Sequence, residues 1–261
     1  MKARTIQSVL RLSLNVVVLF FILLGALTPK SWAASCASLP TAAQLKTFLG
    51  QAASGTGISA SLGPGTGVGG LFSGQRMWAA VVDRDGEICA FATSTSDPTQ
   101  VWPGSQQIAK AKAYTANAFS LDALALSTAR LYTFVQPGHS LFGLNNSNPF
   151  NPTFLSPTSG SGGGTNQIAG GIITFGGGVP LYSLTGSIIG GLGVSGDTAC
   201  TDHEIAKRVR DLSGHNPPGG PLVDDITYSA PDGPSVFTHP VCPNTLRNGV
   251  PIGNENVASG Y

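Results

Sequence analysis

The stretch AAVVDRDGEICAFA, residues 79–92, decides the fold class. Two apolar runs, Met77 to Val82 and Glu87 to Thr93, flank Asp83-Arg84-Asp85-Gly86, and an Asp-Gly turn between such runs is a strong signal for an antiparallel hairpin. Strand alternation in the second run places Ile88, Ala90 and Ala92 on one face and Cys89 and Phe91 on the other. Further on, Gly171 to Phe175 and Ser187 to Val194 read as two more buried strands, with glycines where another backbone packs close. They are joined through Gly176-Gly177-Gly178-Val179-Pro180-Leu181, which reads as a hairpin connection because it precedes a strand and no helix N-terminus that could cradle a phosphate.

Helices surround these runs. Residues 41–53 place Leu45, Phe48 and Leu49 on one side, with Thr41 as a cap. Ser105 to Phe119 is alanine-rich and opens on a cap residue. Leu121 to Phe134 reads as a second helix stopped by Gln136-Pro137-Gly138, and Thr201-x-x-Glu204 as a capping box for a last helix stopped by Leu212-Ser213-Gly214. The glycine- and serine-rich residues 54–75 read as a flexible surface loop, and residues 143–171 as an exposed excursion with a mobile tip at Ser159 to Gly164. Eight prolines after residue 215 predict an extended tail on the domain surface.

The 261 residues include 35 Gly and 18 Pro but only 27 charged side chains, and 41% are hydrophobic. A disordered chain combines low hydrophobicity with high net charge, so a folded body is expected. Lys2, Arg4 and Arg11 precede an apolar run from Leu12 to Leu27, followed by Ser31-Trp32-Ala33. That order reads as a secretory signal over residues 1–33 with the mature chain starting near Ala34 or Ser35, since about 16 apolar residues fall short of the roughly 20 that span a bilayer. Beyond the signal stand ten basic and thirteen acidic residues, a formal charge of about −3. No nucleic-acid reading survives this, and Lys207-Arg208-x-Arg210 reads as the basic last turn of a helix. The organisation is then a signal at 1–33, one domain at 34–214 and a proline-rich extension at 215–261.

Cys36, Cys89, Cys200 and Cys242 all lie beyond the signal, and an even count in a periplasmic or secreted protein favours disulfides. Cys200 with Cys242 and Cys36 with Cys89 are the expected pairs, the first because the tail otherwise has little to hold it. The competing reading is a zinc site, because Cys200-x-x-His203 and His239-x-x-Cys242 have its ligand types and spacing.

The stretches AKAKAYTANAF (109–119), QPGHSLFGL (136–144), ITFGGGVPL (173–181) and GSIIGGLGVSG (186–196), together with the hairpin and the helix from Asp202, resemble the GlcG/HbpS family, whose domain is called haem-degrading. The resemblance covers about residues 77–213. It implies an α/β fold with a central antiparallel sheet flanked by helices, ring-like homo-oligomers, haem or a related tetrapyrrole as ligand, and a role in sensing alongside a membrane kinase. The loops at 54–75 and 145–170 and the tail exceed what the family core needs.

Haem requires an apolar slot, cations for its propionates and a Lewis base for iron. Lys112 and Thr115 share a helical face and match the family's K-A-x-T-A stretch, so the resemblance makes them cofactor-binding candidates. Tyr114 and His203 are candidate iron ligands, His203 the first choice. No G-x-S-x-G elbow and no carboxylate pair at a recognisable spacing is present. The leading expectation is an exported haem-binding protein, a sensor accessory or scavenger. A haem-degrading enzyme and a ligand-free exported assembly module are the alternatives.

Overall fold

The computed structural model describes residues 36–151, 167–168 and 170–255. The expected signal and the loop tip at Ser159 to Gly164 lie outside them. Four strands, β1 (Trp78–Asp83), β2 (Ile88–Thr93), β3 (Gly178–Tyr182) and β4 (Ile188–Ser195), form an antiparallel sheet in the order β2-β1-β4-β3. Helix α2 (Ser105–Phe119) covers one face, while α1 (Ala42–Ser54) and α3 (Ala199–Leu212) cover the other. The expected α/β architecture is present. No helix among the described residues is long and apolar enough to cross a membrane.

Strand alternation sorts the core. Ala79, Val81, Leu192 and Val194 meet Leu45, Leu49, Ile205 and Val209 of α1 and α3. On the other face, Trp78, Ala80 and Val82 meet Ala109 and Ala113 of α2. There β4 contributes glycines: a Cβ on Gly193 would stand 2.0 Å from the Ala109 carbonyl, and one on Gly191 2.2 Å from that of Ala113. Helix α2 therefore rests on bare backbone, which is why it is built of alanine.

The hairpin forms as expected, with Asp83 Oδ1 accepting the Asp85 and Glu87 amides at 3.0 Å each. One detail differs. Val81 pairs with Ala90 but Val82 with Ile88, so Cys89 is the extra residue of a bulge and Ile88 joins Phe91 on the α2 face. The bulged Cys89 is bridged to Cys36.

Strand β3 also departs from the expectation. Residues 171–175 form no strand among the described residues, because side chains take up their backbone: the Ile173 amide donates to Thr115 Oγ1 at 3.0 Å, and Thr128 Oγ1 donates to the Phe175 carbonyl at 2.7 Å. The strand begins at Gly178, and the true hairpin turn is Ser183 to Ser187, closed by the Ser183 amide on the Ser187 carbonyl at 2.8 Å.

Three further expectations are corrected. Leu121 to Phe134 is no continuous helix but short 3-10 turns at Thr128–Leu131 and Thr133–Val135. Helix α3 is capped by Thr198, three residues before the expected Thr201, which frees Glu204 for another task. The 54–75 loop is packed: Leu62 and Val68 are fully buried, and Arg208 donates to the carbonyls of Ala52, Leu62 and Thr66 at 3.0–3.1 Å.

The tail does more than lie on the surface. Short strands β5 (Thr227–Tyr228) and β6 (Thr238–His239) pair in parallel, β7 (Thr245–Arg247) and β8 (Val250–Gly253) antiparallel. Asp224, Ile226, Tyr228 and His239 are buried, and Cys242 is bridged to Cys200 in the first turn of α3.

Candidate functional site: a cleft over a buried ionic layer

Helices α2 and α3 approach each other where Phe175-Gly176-Gly177-Gly178 passes between them. A Cβ would meet the Ala199 carbonyl at 2.3 Å from Gly176, the Val194 carbonyl at 2.5 Å from Gly177 and the Lys112 carbonyl at 2.5 Å from Gly178. The glycine run is a steric requirement of this passage and makes no turn.

Lys112 lies behind it. Its Nζ donates to Asp202 Oδ2 at 2.7 Å and to the Val194 carbonyl at 3.1 Å, and stands 4.7 Å from the centroid of the Phe175 ring. Asp202 Oδ1 accepts the Gly196 and Asp197 amides at 3.1 and 2.9 Å. Burial pushes the Asp202 carboxyl up to about 6 and the Lys112 ammonium down, while their mutual attraction opposes both shifts. Thr115 is fully buried, donating to the Ala111 carbonyl at 2.7 Å while accepting the Ile173 amide, and so anchors the segment that carries Phe175. Tyr114 is about 200° round the helix from Lys112 and packs its ring over the hairpin turn, where a Cβ on Gly86 would come within 2.7 Å of it. The structure therefore brings Lys112 and Thr115 to one place and sends Tyr114 elsewhere.

His203 is one residue beyond Asp202 on α3 and is fully buried, with Nε2 3.4 Å from Asp225 Oδ1 of the tail. Lys207 bridges the same carboxylate at 2.7 Å and Glu204 at 2.6 Å, and Glu204 Oε2 accepts the Asn248 amide at 3.0 Å. Arg210 holds Asp224 through two bonds of 2.9 and 2.6 Å. Lys207, Arg208 and Arg210, read from sequence as a basic last turn, are fully buried and occupied.

In front of Phe175 opens a cleft of about 380 Å³, walled by Tyr132, Phe175, Ala199, His239 and Cys242. The rings of Tyr132 and His239 stand 5.1 Å apart. His239 Nδ1 lies 2.7 Å from the Pro240 carbonyl and must donate to it, which leaves Nε2 to accept the Gly176 amide at 3.2 Å. Burial pushes this imidazole down to about 4, against the opposing pull of the Pro240 carbonyl, so it is neutral. The Tyr132 hydroxyl has no hydrogen-bond partner among the described residues. Tyr132 and Phe175 were hidden in the sequence, the first inside an apparent helix and the second inside an apparent strand; the glycine run after Phe175 was the available signal.

The model of the family described as haem degrading protein HbpS-like matches residues 71–211. The chain belongs to this family. Among solved structures, the HbpS-like chain is similar to a Klebsiella pneumoniae protein, ORFY, at 22% identity over 69% of this chain and 90% of that one, TM-score 0.44. A PduOC:heme complex matches at 24% identity over 64% and 88%, TM-score 0.41, and HbpS at 20% over 66% and 89%, TM-score 0.40. No curated protein is similar to the chain.

Tested against the needs of a porphyrin, the residues divide. Lys112, Thr115 and His203 are sealed from the surface, so they form no slot that a macrocycle enters. The cleft in front of them offers aromatic walls and one unengaged phenol oxygen, and its volume lies in the lower part of the range for small-molecule sites.

Proposed function

We propose that this HbpS-like protein binds haem, or a related tetrapyrrole, non-covalently and outside the cytoplasm, with an edge of the macrocycle in the cleft between Tyr132, Phe175 and His239. The carrying observation is the unengaged Tyr132 hydroxyl in an aromatic-walled cleft whose Phe175 wall rests on Lys112. A phenol oxygen is an established type of iron ligand. In this reading Lys112 and Thr115 fix Phe175 from behind, His203 lies in the layer beneath, and Tyr114 borders the other side of α2. Bound haem would supply its own redox chemistry, while the protein controls access.

Export is supported by the two disulfides and the order of the N-terminal residues. The protein is then a scavenger or the accessory of a membrane sensor kinase, working as a homo-oligomer. Kinase autophosphorylation that changes with the haem-loaded protein marks the accessory; indifference marks the scavenger.

Haem titration of the full chain, read in the Soret region, tests the binding. A saturable change that shifts in Tyr132→Phe is expected. The absence of any saturable change overturns the reading, and a wild-type spectrum in Tyr132→Phe removes the ligand assignment. Loss of the haem band on adding a reductant in air identifies a degrading enzyme.

A further inference from the structure

His239 and Cys242, which wall the same cleft, also belong with Cys200 to a second constellation. Ligand atoms of Cys200, His239 and Cys242 all lie within 4.8 Å of one another, and the three residues are buried. They arrive from two elements, Cys200 from the first turn of α3 and the His239-x-x-Cys242 pair from the tail. We propose that they form a redox-gated zinc site, closed while Cys200 and Cys242 are bridged and opened when a dithiol reduces the bridge.

The chemistry balances in two steps. A dithiol passes two electrons and two protons to the bridge, giving two cysteine thiols and one cyclic disulfide. Zn²⁺ then binds both sulfurs as thiolates, and the two thiol protons leave to solvent.

The surroundings are prepared for that product. The Cys200 amide points at Cys242 Sγ at 3.2 Å, and Cys200 stands at the N-terminus of a helix of 14 residues. Both features favour a thiolate over a thiol. The hydrogen-bond pattern of His239 puts the proton on Nδ1 and the lone pair on Nε2. Its Nδ1–H donates to the Pro240 carbonyl, which is how metal-bound histidines are commonly oriented by a backbone oxygen. The lone pair on Nε2 accepts only the Gly176 amide, a bond that the metal would replace. Two thiolates balance the charge of Zn²⁺. Since His239 and Cys242 also line the cleft, the ion has an entry path, and a water in the cleft can complete the tetrahedron.

The second disulfide provides an internal control. Cys36, Asp83 and Cys89 also lie within 4.8 Å of one another. That trio has no imidazole, and its carboxylate already accepts the Asp85 and Glu87 amides.

The test uses the full chain, reduced with a dithiol under anaerobic conditions, freed of it and titrated with Co²⁺ as a spectroscopic stand-in for zinc. One Co²⁺ per chain with a thiolate-to-metal charge-transfer band, displaced by Zn²⁺, is expected. His239→Ala should weaken binding about 100-fold, no less than losing a supporting group costs, whereas Cys36→Ser with Cys89→Ser should leave it unchanged. Because reduction could loosen the tail, Cys200→Ser with Cys242→Ser is measured in parallel: uptake equal to that of the reduced wild type overturns the proposal. A flat titration of the reduced wild type does so too, as does alkylation of Cys200 and Cys242 that Zn²⁺ does not slow. None of these measurements involves haem, so failure here leaves the haem reading standing.

Discussion

Lys112 on α2 and Arg210 on α3 are both fully buried, yet their counter-charges come from different parts of the chain. Lys112 is neutralised by Asp202, inside the region shared with the HbpS-like family. Arg210 also belongs to that region, which ends at residue 211, but its partner Asp224 lies beyond it, while Lys207 pairs both with Glu204 inside the region and with Asp225 outside it. A buried cation without a partner costs several kcal/mol. The α3 sequence is thus committed to the tail, whereas the α2 pair is complete within the family domain.

The strongest way to break this contrast is to end the chain after His215, which removes Asp224, Asp225 and Cys242 together. The bridge spans 42 residues of sequence, for which loop closure contributes about 4 kcal/mol. Each broken buried pair adds roughly 3–5 kcal/mol, and the sum rivals a typical total stability of about 5–15 kcal/mol. The truncated chain should show no near-UV circular dichroism. A native spectrum would mean that α3 is neutralised by groups other than the tail.

A narrower cut is Asp224→Ala, which strands Arg210. Urea denaturation should show a loss of about 3–5 kcal/mol, and a loss under 1 kcal/mol would show that the two-pronged contact carries little.

Acidity separates the two carboxylates by sign. Burial raises Asp202 from 3.8 to about 6, so the folded state binds the extra proton and this group's contribution falls as pH rises through about 4 to 6. For Asp225, burial is outweighed by the Lys207 ammonium and by His203, which hold the carboxyl well below 3.8. Its contribution is present above that pH and is lost as pH falls below it. Urea midpoints of Asp202→Asn and Asp225→Asn, compared with wild type at several pH values, should diverge in opposite directions. Parallel profiles would erase the distinction.

The smallest effect belongs to Arg247→Ala. Its partner Asp232 is also in the tail, but the two side chains are 21% and 28% exposed. Water screens such a pair, so the change should stay within about 1 kcal/mol in the same assay. A larger loss would move the weight of the tail from its buried contacts to its surface.

What could be read from the chain followed how local each signal is. The Asp-Gly hairpin, the alanine helix, the Gly214 stop and the family motifs depend on neighbours a few residues apart, and both disulfide pairings could be proposed from the compartment, the even cysteine count and a tail that needed an anchor. Ile88 changed face because one bulged residue shifts a period of two, which no alternation pattern reveals beforehand. The strand expected at Gly171 to Phe175 failed because hydroxyls of Thr115 and Thr128, 58 and 47 residues distant, took its backbone bonds. Tyr132 and Phe175 became a cleft, and His239 a neighbour of both cysteines, only when the tail folded over α3. Sequence by itself determined three of the sheet's four strands, the three helices that cover it and the family, since backbone propensity and turn chemistry act over short stretches. Tertiary structure alone decided which cations are buried and which rings face the cleft, because those outcomes depend on groups that meet only after the chain has closed on itself.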